Sequence, residues 1–274
     1  MKRLQRLAAC AAALLVGSAA EAERAPHPLT DRFQVTLGTF LLTSEPTVQL
    51  NGETRRGDRV DWDSEFGRMD AKRFRLESHW RFAERHKIRA VAFSLSRERS
   101  EVLEESIDWG GDTYPVHAEV RAEFSFEILE VAYEYAFLRR ENYELGASIG
   151  FHYTSLDASL DASAEASSGT LSEDLNDSAG VAAPLPVIGF SGMWSLSRDF
   201  WLDASAQFFA LAIDEYDGYL HSYRASLTWQ PKSWLGIGVG YSVFSIDVSV
   251  ENDDFNGVLD WVYGGPMIFY RASF

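Results

Sequence analysis

The chain has 274 residues, with 41 acidic against 25 basic side chains, a formal net charge of −16 and one cysteine, Cys10. So large an excess of acid argues against nucleic acid as a partner, and beyond Cys10 there is no thiol for disulfide or thiol chemistry. After the first 22 residues no apolar run reaches the length of a membrane helix, and a mean hydropathy of −0.18 fits a chain in which only alternate residues face lipid.

Lys2, Arg3 and Arg6 form a positive leader, Leu7 to Val16 an apolar stretch, and Ala20-Glu21-Ala22 a small-x-small site, together the pattern of a secretory signal peptide cleaved after Ala22. Leu7-Ala8-Ala9-Cys10 looks like a lipobox but stands ahead of most of the apolar run, which argues against a lipid on Cys10. Cleavage leaves 22 basic against 40 acidic residues, a net charge of −18. The expected organisation is a signal peptide at 1–22, a periplasmic segment at 23–31 and a single domain at 32–274.

Period-two alternation then recurs along the chain, and each such segment is long enough to cross a bilayer at barrel tilt. Phe33, Val35, Leu37, Thr39 and Leu41 alternate with Gln34, Thr36 and Gly38; Phe74, Leu76, Ser78, Trp80 and Phe82 alternate with Arg73, Arg75, Glu77, His79 and Arg81. The third segment sets Val91, Phe93 and Leu95, read as lipid-facing, against Ala92, Ser94 and Ser96. The fourth sets Leu129, Val131, Tyr133, Tyr135 and Phe137 against Glu130, Ala132 and Glu134, and the fifth Tyr143 to Tyr153 against Glu144, Gly146, Ser148, Gly150 and His152. The sixth, Ile188 to Trp194, is placed after Pro184 and Pro186, since proline is excluded from the paired interior of a sheet. Asp203, Ser205 and Gln207 mark the inner face of the seventh, Arg224 lies on that of the eighth, and Gly236, Gly238 and Gly240 on that of the ninth, where they make room for bulky partners or leave a thin water path. The tenth ends Ile268, Tyr270, Ala272, Phe274 around Arg271 and Ser273.

Short polar turns at 84–86, 139–142, 197–199 and 231–233 alternate with long acidic or Ser/Gly-rich connections such as 44–70, 99–118 and 157–183. Short turns on one side and long loops on the other are the outer-membrane arrangement. The fold class expected is therefore an all-β, up-and-down antiparallel transmembrane barrel of ten strands, with eight as the alternative. Trp80, Phe82, Tyr135, Phe137, Tyr143, Trp194, Trp229 and Trp234 gather near the short turns as a periplasm-side aromatic girdle. A soluble secreted β-domain also alternates, but it accounts for neither the loop asymmetry nor the aromatic final strand.

The inward set predicted to line the lumen is Arg73, Arg75, Glu77, His79, Arg81, Glu130, Glu134, Glu144, Asp203, Arg224 and Arg271. Buried charges are costly unless paired, so these groups either pair and close the lumen or face water in a narrow passive channel. The acidic loops hold Asp61, Asp63, Glu65, Asp253 and Asp254, carboxylates of the kind that bind divalent cations and bridge to lipopolysaccharide. No other cofactor is expected. Enzymatic motifs are missing: omptin proteases, barrels of similar size, use an Asp-x-His pair that does not occur here, nor does a Gly-x-Ser-x-Gly elbow.

Residues 38–43 (GTFLLT), 60–67 (VDWDSEFG), Trp80-Arg81-Phe82, Arg85-His86-Lys87, 183–187 (APLPV) and 253–257 (DDFNG) resemble a family of small, uncharacterised proteobacterial outer-membrane β-barrel proteins among the OmpA-type and porin-like barrels. The resemblance implies a barrel in the outer membrane of a Gram-negative bacterium, and a monomer is the default expectation. Its partners there would be outer-membrane lipid and lipopolysaccharide, with periplasmic chaperones and the barrel-assembly machinery reading Ile268, Tyr270 and Phe274 during biogenesis. It carries no catalytic residues to transfer.

Overall fold

The computed structural model describes residues 28–51, 56–61, 65, 71–162, 175–213, 216–251 and 256–274. The expected signal peptide lies outside them, as do Asp63, Asp253 and Asp254. Among the described residues thirteen strands form in chain order: β1 Phe33–Leu50, β2 Arg59–Asp61, β3 Ala71–Ala83, β4 His86–Val102, β5 Ile107–Trp109, β6 Asp112–Tyr114, β7 Glu119–Arg139, β8 Tyr143–Ala162, β9 Leu175–Ser195, β10 Phe200–Ile213, β11 Tyr216–Lys232, β12 Leu235–Glu251 and β13 Asn256–Ser273.

Every pairing in the main sheet is antiparallel, and β13 returns to pair with β1, so the sheet closes on itself. The expectation of ten strands, or of eight, is corrected: eleven strands share the main sheet, and β5 and β6 make a separate two-stranded sheet. Alternation marks only the long strands, whereas the three short strands form inside the long connections. β2 pairs with β1 at Thr47, Val48 and Gln49, beyond the stretch where β1 pairs with β3. β5 and β6 join through Gly110 and Gly111, both at positive φ (64° and 113°), as a tight hairpin turn requires.

The long strands also run further than alternation suggested. β7 has 21 residues, roughly 70 Å along its axis and about 50 Å of height at a 45° tilt, against an apolar band about 25 Å tall in outer-membrane barrels. Its near-perfect exposed/buried alternation never breaks, but its chemistry inverts. Near the short turns Leu129, Val131, Tyr133, Tyr135 and Phe137 point out while Ala132, Glu130 and Glu134 point in. Further up, Glu119, Arg121, Glu123 and Glu127 point out while Val120, Ala122, Phe124, Phe126 and Ile128 point in.

The same inversion corrects the facing of β4. Val91, Phe93 and Leu95, read as lipid-facing, are each 2 % exposed and point inward, with Ser94 and Ser96 exposed outside. They continue the parity of Lys87 and Arg89 into the apolar upper interior. The position of Pro184 and Pro186 is corrected too, because both lie within β9 rather than before it. β8 pairs with β9 along the whole length of both strands, but β10 pairs with β9 only from Ser195 to Ile188. The prolines occupy the edge of β9 that has no strand paired to it among the described residues.

Inward glycines on β12 accommodate the larger side chains of β13. A Cβ on Gly238 would stand 2.2 Å from the ring of Phe269, and one on Gly240 2.9 Å from Met267. They therefore make room for bulky partners rather than leaving a water path.

Candidate functional site

The interior is built in two layers. Nearest the short turns it is ionic. Arg81 holds Glu144 through both guanidinium nitrogens at 3.0 and 3.1 Å, the planar two-point match that makes Arg–carboxylate pairs strong. Lys87 reaches the same carboxylate at 2.7 Å and also contacts Glu134, and Arg139 stands 3.5 Å from Glu144. Alternation places Lys87 and Arg81 on neighbouring strands with inward parity, and Glu144 at the start of β8 faces them across the lumen.

A second group sits around Glu130. It accepts hydrogen bonds from Arg89 Nη2 at 2.5 Å and Gln207 Nε2 at 2.7 Å, while His152 Nε2 lies 3.2 Å away. Arg224 reaches across the barrel to grip Glu77 with both nitrogens, one at 2.9 Å, and Arg75 and His79 flank the same carboxylate at 3.7 and 3.6 Å. Arg271 bonds Asp203 at 3.1 and 3.3 Å and lies over the Phe269 ring at 5.4 Å.

The predicted lumenal residues are thus gathered into three carboxylate-centred groups and one Arg–Asp pair. Arg73 lies on β3 beside Phe40 of β1, with its side chain outside the described set. Lys87, Arg89 and Arg139 were absent from the prediction, and His152 and Gln207 stood on the polar faces of their segments but outside the set predicted to line the lumen. Parity alone points to Lys87 and Arg89 once β4 is extended to His86. His152 and Gln207 share the inward parity of Glu144 and Asp203, and the signal for them is position rather than charge.

Above the ionic layer the interior turns apolar. Trp261 lies against Phe126 at 3.9 Å and Tyr263 at 4.9 Å, and Tyr263 stacks on Phe244 at 4.8 Å and Phe93 at 5.4 Å. The β5–β6 hairpin joins this cluster: Trp109 and Tyr114 are fully buried in it, and Tyr114 Oη donates to Leu160 O at 2.8 Å. Backbone bonds moor the hairpin to the end of β1, with Gly110 N–H on Leu50 O at 3.2 Å. Barrels of small circumference are filled by side chains, and this one is filled by ions below and by rings above.

Of the acidic groups predicted for cations, Asp61 ends β2 and Glu65 is exposed. Partial burial raises the Glu65 pKa, and repulsion from Glu105, Asp61 and Glu104 adds to it. Among the described residues no three His, Cys, Asp or Glu side chains converge on a metal position. On the outer surface Ile268, Tyr270 and Phe274 are 56, 60 and 48 % exposed and lie on one face of the β13 line.

No protein family matches the chain, and no curated protein does either. Among solved structures it is similar to the outer-membrane protease OmpT of Escherichia coli, at 12 % identity with a TM-score of 0.61, covering 92 % of this chain and 99 % of that one. Ail, the attachment invasion locus protein of Yersinia pestis, matches at 10 % identity and a TM-score of 0.33 over 88 % of this chain and 98 % of its own. A Pseudomonas aeruginosa FadL homologue matches at 10 % and 0.35 over 91 % and 92 %. The likeness to OmpT establishes the fold, a closed barrel of the outer-membrane type. The other two overlap too loosely to support an argument.

Proposed function

We propose that the protein is an integral outer-membrane barrel, closed to ions, that has a structural or surface-interaction role. One observation carries the reading: each described lumenal carboxylate of the ionic layer is engaged by at least one cation, and the apolar cluster lies above them in the same lumen. Pairing removes the water-facing fixed charges that an ion path needs, and rings offer no hydration. The upper half presents an acidic outer wall, including Glu119, Glu123, Glu127 and Asp157, to whatever surrounds the cell. Asp61 and Glu65 lie near Glu104 and Glu105, and together they would draw divalent cations that bridge to lipopolysaccharide phosphates. Chaperones and the assembly machinery would meet the exposed face of Ile268, Tyr270 and Phe274.

Single-channel recording on the refolded barrel in planar bilayers tests this. Heat-modifiable gel mobility reports folding. A folded barrel that gives no discrete conductance steps is the expected result; regular steps, with ion selectivity altered by Glu130→Gln and Glu134→Gln, would replace the closed reading with a channel.

A further inference from the structure

The barrel wall is split between β9 and β10, and the sequence shows why. Ser195 N–H bonds to Asn142 O on the β8 side, so odd-numbered residues of β9 direct their backbone groups to β8 and even-numbered ones to β10. The last β9–β10 partners are Ile188 and Phe208. The next partner toward β10 on that parity is Pro186, facing Ala210, and the one after it is Pro184. Neither has an N–H to donate, so the ladder stops where the first donor is missing. From there β9 continues to Leu175 and β10 to Ile213 without bonding to each other.

A cleft of about 640 Å³ occupies the split, within the roughly 300–1,000 Å³ range of ligand pockets. Its mouth is formed by outward residues: Ile149 is 62 % exposed, Ile188 57 % and Tyr223 46 %, with Phe208 and Pro186 beside them. Its floor is formed by Val187, Phe209 and Leu220, which are buried and belong to the inner apolar cluster. His221, stacked on Tyr219 at 6.2 Å, is the one imidazole on its rim. The cleft therefore connects the outward apolar belt with the interior core, through the wall.

We propose that this split is a binding site for one acyl chain of a membrane lipid, entering sideways from the bilayer. Three features favour that occupant. The mouth is continuous with the apolar outer surface, where Phe151 and Tyr153 of β8 stand on the rows of Pro186 and Pro184 and are 59 and 50 % exposed. The lining is apolar from rim to floor, with tyrosine hydroxyls and His221 to meet a polar end. An unpaired strand edge in lipid is costly for every unsatisfied group, and the two prolines delete two donors from it. The same deletions disfavour a strand of a second copy, which would need those N–H groups.

The inference depends on the membrane location in the reading above, but not on whether the lumen conducts. Its test uses the full chain reconstituted in phosphatidylcholine vesicles that contain a phospholipid with a diazirine at one acyl-chain terminus. After irradiation, adducts are mapped by mass spectrometry. Adducts are expected on Val187, Phe209 and Leu220 as well as on belt residues such as Val131, Tyr241 and Ile268. Pro184→Thr together with Pro186→Val restores both donors and closes the wall, and should lower labelling of the three floor residues about tenfold while sparing the belt. Ala210→Trp blocks the mouth without changing strand pairing and should do the same. Belt labelling with a clean floor, or floor labelling untouched by both variants, overturns the site while leaving the barrel in its membrane. A dimer on semi-native gels with a clean floor assigns the edge to a second copy and also overturns it. An unlabelled belt is the separate failure, that of the membrane reading itself.

Discussion

The two halves of this barrel have opposite solvents on the same strands. Near the short turns β7 shows Val131 outward and Glu130 inward; eight residues up the same outward face stands Glu123, with Phe124 inward. One strand, one unbroken alternation, and the polarity of both faces reverses. The lower half is arranged for surroundings that reject charge, so its ions retreat inside and must pair there. The upper half is arranged for water, so it keeps a dry core like any soluble β-protein.

Four substitutions break or sharpen this contrast. Glu144→Ala should have the largest effect, because it strands Arg81, Lys87 and Arg139 without their common anion; about 5 kcal/mol of unfolding free energy is expected to be lost in urea titrations. Trp261→Ala empties the centre of the upper core and should cost about 4 kcal/mol. Hydrogen exchange should then rise in 119–127 and 155–162 and stay slow near the short turns, since the two layers are held by different forces. Arginine on the outward face should discriminate the halves directly: Val131→Arg is expected to cost about 3 kcal/mol, whereas Glu123→Arg should stay within about 0.5 kcal/mol. Equal costs at the two positions would mean that the polarity reversal does not mark the edge of the lipid.

An effect smaller than that of Val131→Arg belongs to Asp31, just ahead of β1. Burial raises its pKa from 3.8 to about 6, and Ser273 and Arg81 only partly oppose that. Its folded pKa lies above the unfolded one, so the folded state holds the proton more tightly. The contribution of Asp31 to stability is therefore greatest below about pH 4, falls as pH rises through 6 and is level above that. Asp31→Asn should remove the slope and raise the neutral-pH stability by about 1 kcal/mol after allowance for solvent screening. Urea midpoints at pH 4 and pH 8 measure it.

Alternation in the sequence reveals parity but not direction. Glu130 and Glu134 are expected inward because glutamate beside Leu129, Val131 and Tyr133 belongs inside only when the outside is lipid, and both are buried. Val91, Phe93 and Leu95 are equally regular, yet nothing local says whether an apolar row faces a bilayer or a core. That choice depends on height along the barrel, which is fixed by partners tens of residues away. The pairing of Arg224 with Glu77, 147 residues apart, is hidden for the same reason. The prolines of β9 are visible in the sequence, but only the register shows that they lie on a free edge rather than ahead of a strand. The short strands β2, β5 and β6 carry no periodicity to detect, and the Gly110-Gly111 turn is their only local mark.

Closure of the ring rests on a seam between residues far apart in the chain. Gln34 pairs with Ser273, Phe274 N–H donates to Phe33 O at 2.8 Å, and Phe274 O accepts from Arg32 and Phe33 at 2.7 and 3.0 Å. Joining such ends costs about 5 kcal/mol of chain entropy before the first seam bond contributes, and contacts this distant slow a folding reaction more than they weaken its product. Every other backbone pairing between long strands in the ring joins neighbours in sequence. The seam alone must wait for both ends, and until it forms β1 and β13 are two long adhesive edges. The hazard in this protein's life is thus one of timing: how long a nearly finished barrel remains open.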